Sequence, residues 1–267
     1  MKKVEAIVAT DKIINGIKIT RSSLESMAEQ SKKYYIPVTL EHDIRNPPIG
    51  RVVSAEVIKL PEGGYGLKNT IELFDNPDEL EFSKDNSKTI QIEKNDIETI
   101  SVSYDDLYSQ KRDEILVSEL SELTDDIKQP EKRSLEPIST LIIFIGGSII
   151  GSIFSGFFGK IGSDAYDKLK NTLIGYYGRN SSDEQILDIY STVKDGCFEV
   201  HIIVDTSETN LRNFFEKDFQ RFDEKIGKYK DETNISKIVL KYENGKYFIL
   251  YALRSDAVPL ESNLKEL

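Results

Sequence analysis

One histidine, two serines and a glutamate within the first 124 residues carry the side chains that nucleophilic catalysis needs. His42 ends a predicted strand, Ser101 and Ser103 lie in the segment ISVSY, and Glu119 lies in EILVSELS. A serine attacks a carbonyl only when a base lies within hydrogen-bond reach and a third group orients that base. His42 is the only histidine in this part of the chain, so it is the only imidazole available as that base.

Each of these residues also fits an ordinary place in a fold. His42 beside Asp43 is typical of a polar strand end, and Glu119 fits a charge on the surface of a strand. Ser101 and Ser103 alternate as residues on one face of a strand do. Spacing alone therefore leaves open whether a site exists and which serine would serve it.

Alternation of apolar and polar residues predicts a β-rich domain around these side chains. Asn15-Gly16 predicts a hairpin turn, and Thr20 predicts the N-cap of a helix over 21–32. The pattern as a whole predicts an α+β or closed-sheet domain over residues 1–124. The predicted strands are Val4–Ala9, Pro37–Glu41, Gly50–Lys59, Gly66–Leu73, Thr99–Tyr104 and Glu114–Leu123.

Residues 36–73, IPVTLEHDIRNPPIGRVVSAEVIKLPEGGYGLKNTIEL, contain three short blocks in a recognisable order. The blocks are His42-Asp43, Ile49-Gly50-Arg51-Val52 and Gly66-Leu67. This segment resembles the histidine-containing region of tailed-phage prohead proteases, serine proteases whose fold is related to the herpesvirus assemblins. The resemblance extends over residues 4–123, which is under half of the chain.

The resemblance implies a role for each of the candidate residues. His42 would be the base, Ser101 the nucleophile and Glu119 the carboxylate that orients the imidazole. Ser101-Val102-Ser103-Tyr104 is similar to the serine block of the family, but Ser103 stands where glycine is usual, which makes Ser103 an alternative nucleophile. The resemblance implies no metal and no cofactor.

A long uncharged segment follows the first domain. Residues 125–136 are charged and predict a linker, and Pro137–Gly159 then carries no formal charge. A helix of about 20 apolar residues spans a bilayer, so residues 137–160 predict an apolar Gly/Ser-rich transmembrane segment. Small residues four apart would let such helices pack closely; they are Gly147, Gly151, Ser155 and Gly159. The alternative is a buried hairpin or core helix.

The remainder predicts an amphipathic helix or connector over 161–182 and a small α+β domain over 183–267. Its order is β-α-β-β, with a phenylalanine-rich helix over about 208–230 that we assign to the core. His201 lies on the strand face opposite Phe198 and Val200, which predicts a surface or interface histidine.

Composition excludes several classes of function. A formal net charge of −11 argues against nucleic acid as the main partner. The single cysteine, Cys197, excludes a cysteine-rich zinc site, and two histidines argue against a multi-histidine metal centre.

The sequence therefore predicts a membrane-anchored serine endopeptidase-like protein that acts on a protein or peptide. We expect a homo-oligomer, held in the membrane by a single pass or a hairpin, with most of the chain in the cytoplasm. The alternative is a non-enzymatic domain that senses or binds a protein, such as a phage structural protein. In that case the apolar helix would oligomerise and disrupt the membrane, as an antiphage defence effector does.

Overall fold

The computed structural model describes most of the chain, with gaps. The described residues are 1–14, 17–40, 43–77, 80–82, 88–92, 100–104, 116, 118–122, 127–128, 139–145, 163–180, 185–192, 198–217, 219–230 and 234–267. The chain divides into two units. The first contains residues 1–40, 46–91 and 253–261, and the second contains residues 41–45, 92–252 and 262–267.

The first unit is built on a five-stranded sheet in the order β1-β6-β5-β4-β7. Its elements are β1 (Lys2–Thr10), β2 (Ile13–Ile14), β3 (Ile17–Lys18), α1 (Arg21–Lys33), β4 (Tyr34–Val38), β5 (Gly50–Lys59), β6 (Tyr65–Leu73) and β7 (Thr89–Ile90). Thr20 caps α1 by accepting a hydrogen bond from the Ser23 backbone N–H at 3.1 Å, as predicted. Helix α1 buries Leu24 and Ala28 against Leu67 of the sheet.

The second unit carries most of an eight-stranded sheet in the order β15-β14-β13-β12-β11-β10-β8-β9. Its strands are β8 (Ile100–Tyr104), β9 (Ile127–Lys128), β10 (Ser139–Ile145), β11 (Gln185–Thr192), β12 (Glu199–Val204), β13 (Ile235–Glu243), β14 (Lys246–Arg254) and β15 (Pro259–Glu266). Its longer helices are α2 (Ser163–Asn180), α3 (Glu208–Phe215) and α4 (Phe219–Lys230). The predicted phenylalanine-rich helix is thus two helices, which are separated near Glu216.

The predicted transmembrane segment is wrong where the structure describes it, because Ser139–Ile145 forms strand β10. This strand pairs in parallel with β11 and in antiparallel with β8, so it lies inside the sheet. Leu141 and Ile143 are buried in the core of the second unit. A strand inside a covered sheet has an almost continuous apolar sequence. A short apolar run in the sequence therefore does not distinguish such a strand from a helix.

Within the described residues, no helix has the length and apolar character needed to cross a membrane. The predicted membrane localisation is therefore wrong for this part of the chain. The small-residue positions Gly147, Gly151, Ser155 and Gly159 lie outside the described residues.

The predicted small β-α-β-β domain at the C-terminus is also not a sheet of its own. Strands β12, β13 and β14 continue into β11, β10 and β8 within one sheet. The apolar side chains of one face of this sheet, such as Ile143, Ile189 and Ile202, share a core with residues of the helices, such as Leu173 and Phe214. The predicted α+β architecture with a central membrane helix is therefore replaced by two larger sheets with helices and a two-stranded sheet of β2 and β3.

Truncating Ile143 tests the correction. Its side chain is fully buried in a central strand, so Ile143→Ala should lower the free energy of unfolding by about 2–4 kcal/mol through lost burial and a cavity. Urea unfolding followed by circular dichroism measures this change. The control is Ile36→Ala in β4, whose side chain is exposed and should change the stability by less than about 1 kcal/mol. Equal effects of the two variants would contradict the placement of β10.

Candidate functional site

The two candidate serines lie on strand β8. In the register with β10, Ser101 is opposite Phe144 and Ser103 is opposite Ile142. Ser101 is buried, with 9% of its surface exposed. Its neighbour Val102 faces the helix-covered core, so Ser101 points to the opposite face of the sheet.

The proposed orienting carboxylate is not on a strand. The strand predicted over Glu114–Leu123 is wrong for the described residues, because Leu116 and residues 118–121 are helical. Glu119 lies half-buried on this helical stretch, beside the buried Leu120. Alternation misled the prediction, since the run EILVSEL fits a strand as well as one face of a short helix.

His42 lies outside the described residues, but its neighbour Asp43 is described. Asp43 forms a two-pronged ion pair with Arg45, with N–O distances of 2.8–3.0 Å. Burial would raise the pKa of Asp43, but the hydrogen bonds from Arg45 outweigh it and hold the pKa below its ordinary value. Asp43 is therefore a charged partner of Arg45 in the structure.

The second sheet holds a cluster of titratable side chains that the sequence interpretation missed. Asp188 on β11, His201 and Glu199 on β12, and Lys237 on β13 lie side by side, and we call them the buried charge row. Their contacts are His201 Nδ1 to Asp188 Oδ2 at 2.8 Å, His201 Nε2 to Glu199 Oε2 at 3.3 Å, and Lys237 Nζ to Glu199 Oε2 at 2.7 Å. Asp188 is 1% exposed and His201 is 6% exposed, so both lie in the interior.

Electrostatics favours the charged form of both central residues. Burial alone would lower the pKa of His201, but the Asp188 carboxylate outweighs it and raises the pKa. Burial alone would raise the pKa of Glu199, but Lys237 and His201 outweigh it and lower the pKa. The row therefore sets two acidic side chains against a histidine and a lysine, and the contacts favour the charged forms of His201 and Glu199.

Two tyrosines complete the surroundings of the row. The ring of Tyr190 stacks on the His201 imidazole, with centroids 4.8 Å apart and planes 5° apart. The Tyr251 hydroxyl donates to the backbone carbonyl of Ile44 at 3.1 Å. Burial, reinforced by Asp188 and Glu199, raises the pKa of Tyr251, so it remains a neutral phenol.

This arrangement does not suit His201 to general-base catalysis. A base needs one ring nitrogen free to take a proton from a reacting group. His201 Nδ1 is hydrogen-bonded to Asp188, Nε2 lies 3.3 Å from Glu199 Oε2 without a hydrogen bond, and the side chain is buried away from any substrate. The row therefore neutralises and orders the interior of the sheet.

His201 is also too far from Ser101 to activate it. The registers align Ser101, Phe144, Tyr190 and His201 in one row across β8, β10, β11 and β12. Adjacent strands lie about 4.8 Å apart, so three steps separate Ser101 from His201 by about 14 Å. A hydrogen bond between serine and histidine requires about 3 Å.

The predicted surface position of His201 is wrong, and the reason is the alternation itself. Glu199 and His201 alternate with the apolar residues Val200 and Ile202, as solvent-facing residues of a half-buried strand do. Every residue of β12 is buried, so here the polar face is an interior face. The signal in the sequence was Asp188 on one strand and the alternating pair Glu199 and His201 on the next. These residues could have indicated paired charges inside the sheet.

The first unit has a charge network of its own, and it explains one block of the resemblance. The Arg51 guanidinium donates to Glu72 Oε2 at 3.0 Å and to the Asp256 carbonyl at 2.6 Å, and it stacks over the Tyr35 ring. At Gly50, a Cβ atom would lie 2.5 Å from the Glu72 carbonyl oxygen, so the position excludes a side chain. Ile49-Gly50-Arg51-Val52 therefore has a structural role in this chain.

Among the residues that the structure describes, no group of three histidine, cysteine, aspartate or glutamate side chains could hold a metal ion. No family model, no curated protein and no solved structure matches the chain.

The buried charge row predicts a pH-dependent stability. Asp188→Asn removes the charge that stabilises the His201 imidazolium, so the free energy of unfolding should fall by about 3–5 kcal/mol at pH 5.5. The raised pKa of His201 stabilises the fold below pH ~6.5, and this contribution is lost as pH rises through the folded-state pKa. Urea unfolding at pH 5.5 and pH 9 should therefore show a smaller effect of the substitution at pH 9.

Glu208→Gln is the matched control, because Glu208 pairs with Arg212 on an exposed helix face. Its effect should stay below about 0.5 kcal/mol at both pH values. An effect of Asp188→Asn that grows with pH would contradict the assignment of His201 as the buried cation.

Proposed function

We propose that the chain is a non-enzymatic protein-binding protein whose binding surface lies on the first unit. The observation that carries the proposal is the position of the exposed apolar side chains. Among the described residues, the large apolar side chains that are exposed all lie within the first 49 positions. They are Met1, Ile7, Val8, Met27, Ile36, Leu40 and Ile49.

Three of these side chains lie where β4 and β5 meet. Ile36 is on β4, Leu40 follows that strand, and Ile49 directly precedes β5 and donates its backbone N–H to the Val38 carbonyl at 2.8 Å. Exposed apolar side chains on one part of a fold are typical of protein interaction surfaces. Burying one leucine-sized side chain contributes about 1.5–3 kcal/mol, so a few such contacts supply useful affinity.

The class of partner follows from the resemblance. Ile36, Leu40 and Ile49 belong to the segment that resembles tailed-phage prohead proteases. A phage capsid protein is therefore the partner that we propose.

Chemistry supports binding over catalysis. His201 is the one histidine within the described residues, and its ring is buried beside Asp188 and Glu199. Ser101 is buried on a strand, and Glu119 is on a helical stretch. The resemblance keeps a serine endopeptidase, with His42, Ser101 and Glu119 in its site, as the competing function that experiment must separate.

Labelling with a fluorophosphonate probe separates the two functions. We expect the folded wild-type chain to label no more than Ser101→Ala, Ser103→Ala or His42→Ala, because a non-enzymatic protein carries no activated serine. Gel fluorescence quantifies the label, with an active serine protease as the positive control. Labelling that disappears in Ser101→Ala and His42→Ala would establish a hydrolase and overturn the proposal. Labelling lost in Ser103→Ala alone would do the same with Ser103 as the nucleophile.

Binding is measured with purified major capsid protein of a tailed phage as the probe. We expect saturable binding, weakened about tenfold by Leu40→Asp because a charge replaces an exposed apolar contact. Biolayer interferometry measures both affinities. The control is Glu208→Gln, at an exposed site of the second unit, which should bind as the wild type does. Equal binding by wild type and Leu40→Asp would contradict the proposed surface.

A further inference from the structure

Strand β1 forms a long edge of the first sheet. It spans nine residues and pairs with β6 along one side. Ile7 and Val8 are each 50% exposed. An edge strand presents unpaired backbone N–H and C=O groups, which a further strand can satisfy.

The sequence of β1 is complementary to itself in one antiparallel register. If a two-fold axis passes beside Val4, Lys3 lies opposite Glu5 of the second copy, and Glu5 lies opposite Lys3 of the second copy. The same register places Met1 opposite Ile7 of the second copy, so two exposed apolar side chains cover each other. Opposite charges and apolar pairs are the cross-strand combinations that stabilise antiparallel sheets.

The neighbouring registers are less favourable. Antiparallel strands alternate hydrogen-bonded and non-hydrogen-bonded pairs, so a symmetric pairing must have its axis beside a residue. An axis at Lys3 opposes the two Lys3 ammonium groups, and an axis at Glu5 opposes the two Glu5 carboxylates. An axis at Ala6 opposes no pair of charges. Among these positions, only an axis at Val4 places oppositely charged side chains across from each other.

The local geometry of β1 agrees with this register. The pairing of β1 with β6 shifts between Ile7 and Ala9, which marks an irregularity at Val8. An axis at Val4 uses residues 1–7, the regular part that precedes this shift. The side chains of Lys3 and Glu5 are 67% and 62% exposed. They contact Glu72 and Lys68 of β6 at 3.3 and 3.4 Å, and such exposed ion pairs are weak enough for a second strand to share these charges.

We propose that two copies of the chain associate through antiparallel pairing of their β1 strands about a two-fold axis at Val4. The two five-stranded sheets then continue into each other across the axis. This inference goes beyond the proposed function, because self-association is independent of which other protein the first unit binds.

Charge reversal tests the register. Lys3→Glu alone makes the strand acidic and Glu5→Lys alone makes it basic, so each variant should self-associate about tenfold more weakly than the wild type. An equimolar mixture of the two variants restores opposite charges at every position and should regain the wild-type association. Sedimentation equilibrium measures all three samples at low salt. Because both variants are also measured alone, recovery in the mixture excludes misfolding as the cause.

Disulfide trapping tests the axis. In a Cys197→Ser background, Val4→Cys places two thiols directly opposite each other, at a separation that a disulfide can bridge. Ala6→Cys is the control, because its partner across the axis is Lys2 and the two thiols lie far apart. We expect rapid cross-linked dimer from Val4→Cys and none from Ala6→Cys.

Three results would overturn this inference: a wild-type chain that stays monomeric at all concentrations, a mixture that does not recover association, or cross-linking of Ala6→Cys as fast as that of Val4→Cys. A monomeric chain that binds capsid protein would leave the proposed function in place. Conversely, loss of fluorophosphonate labelling in Ser101→Ala would remove the proposed function and leave the pairing of β1 untouched.

Discussion

Burial of both faces of β12 is the constraint on which the second sheet depends. Every residue of β12 is buried, and only one face of this strand belongs to the apolar core shared with the helices. Charges on the other face lack solvent, and an unpaired buried charge costs several kcal/mol. Asp188, Glu199, His201 and Lys237 meet this constraint because each acidic side chain is in direct contact with a basic one. A strand slip of one residue would move these groups into the apolar core, so the buried charge row also fixes the register.

The sequence predicts those elements whose side chains face one apolar layer. Helix α1 and its Thr20 cap were predictable because the apolar stripe and the capping side chain are local signals. Strands β12, β13 and β14 were predictable because alternation and the Asn244-Gly245 turn are local too. In each of these cases the information lies within about ten residues.

The predictions failed for segments whose secondary structure or burial depends on residues far away in the sequence. The apolar run of β10 is a strand because β8 and β11 flank it, and neither neighbour is visible in the run itself. Glu199 and His201 occupy positions that suit solvent as well as an interior face, and only their contacts with Asp188 and Lys237 show which it is. The segment around Glu119 is too short for its period to separate helix from strand. Candidate site residues chosen by type and order therefore need the sheet registers before their distances can be judged.

Opposite charges select a strand register both in the interior of the second sheet and, in our proposal, at the edge of the first sheet. The two selections differ in strength. In the buried charge row Asp188, Glu199 and His201 are buried, so their pairing holds the register firmly. At β1 the charges of Lys3 and Glu5 are exposed, screened by salt and already in contact with Glu72 and Lys68, so the pairing that we propose there is reversible. Within the described residues, the far edge of the first sheet is β7, which is two residues long, so the described part of this sheet offers no second long edge to a third copy. Association through this sheet therefore closes at two copies instead of growing into a fibre.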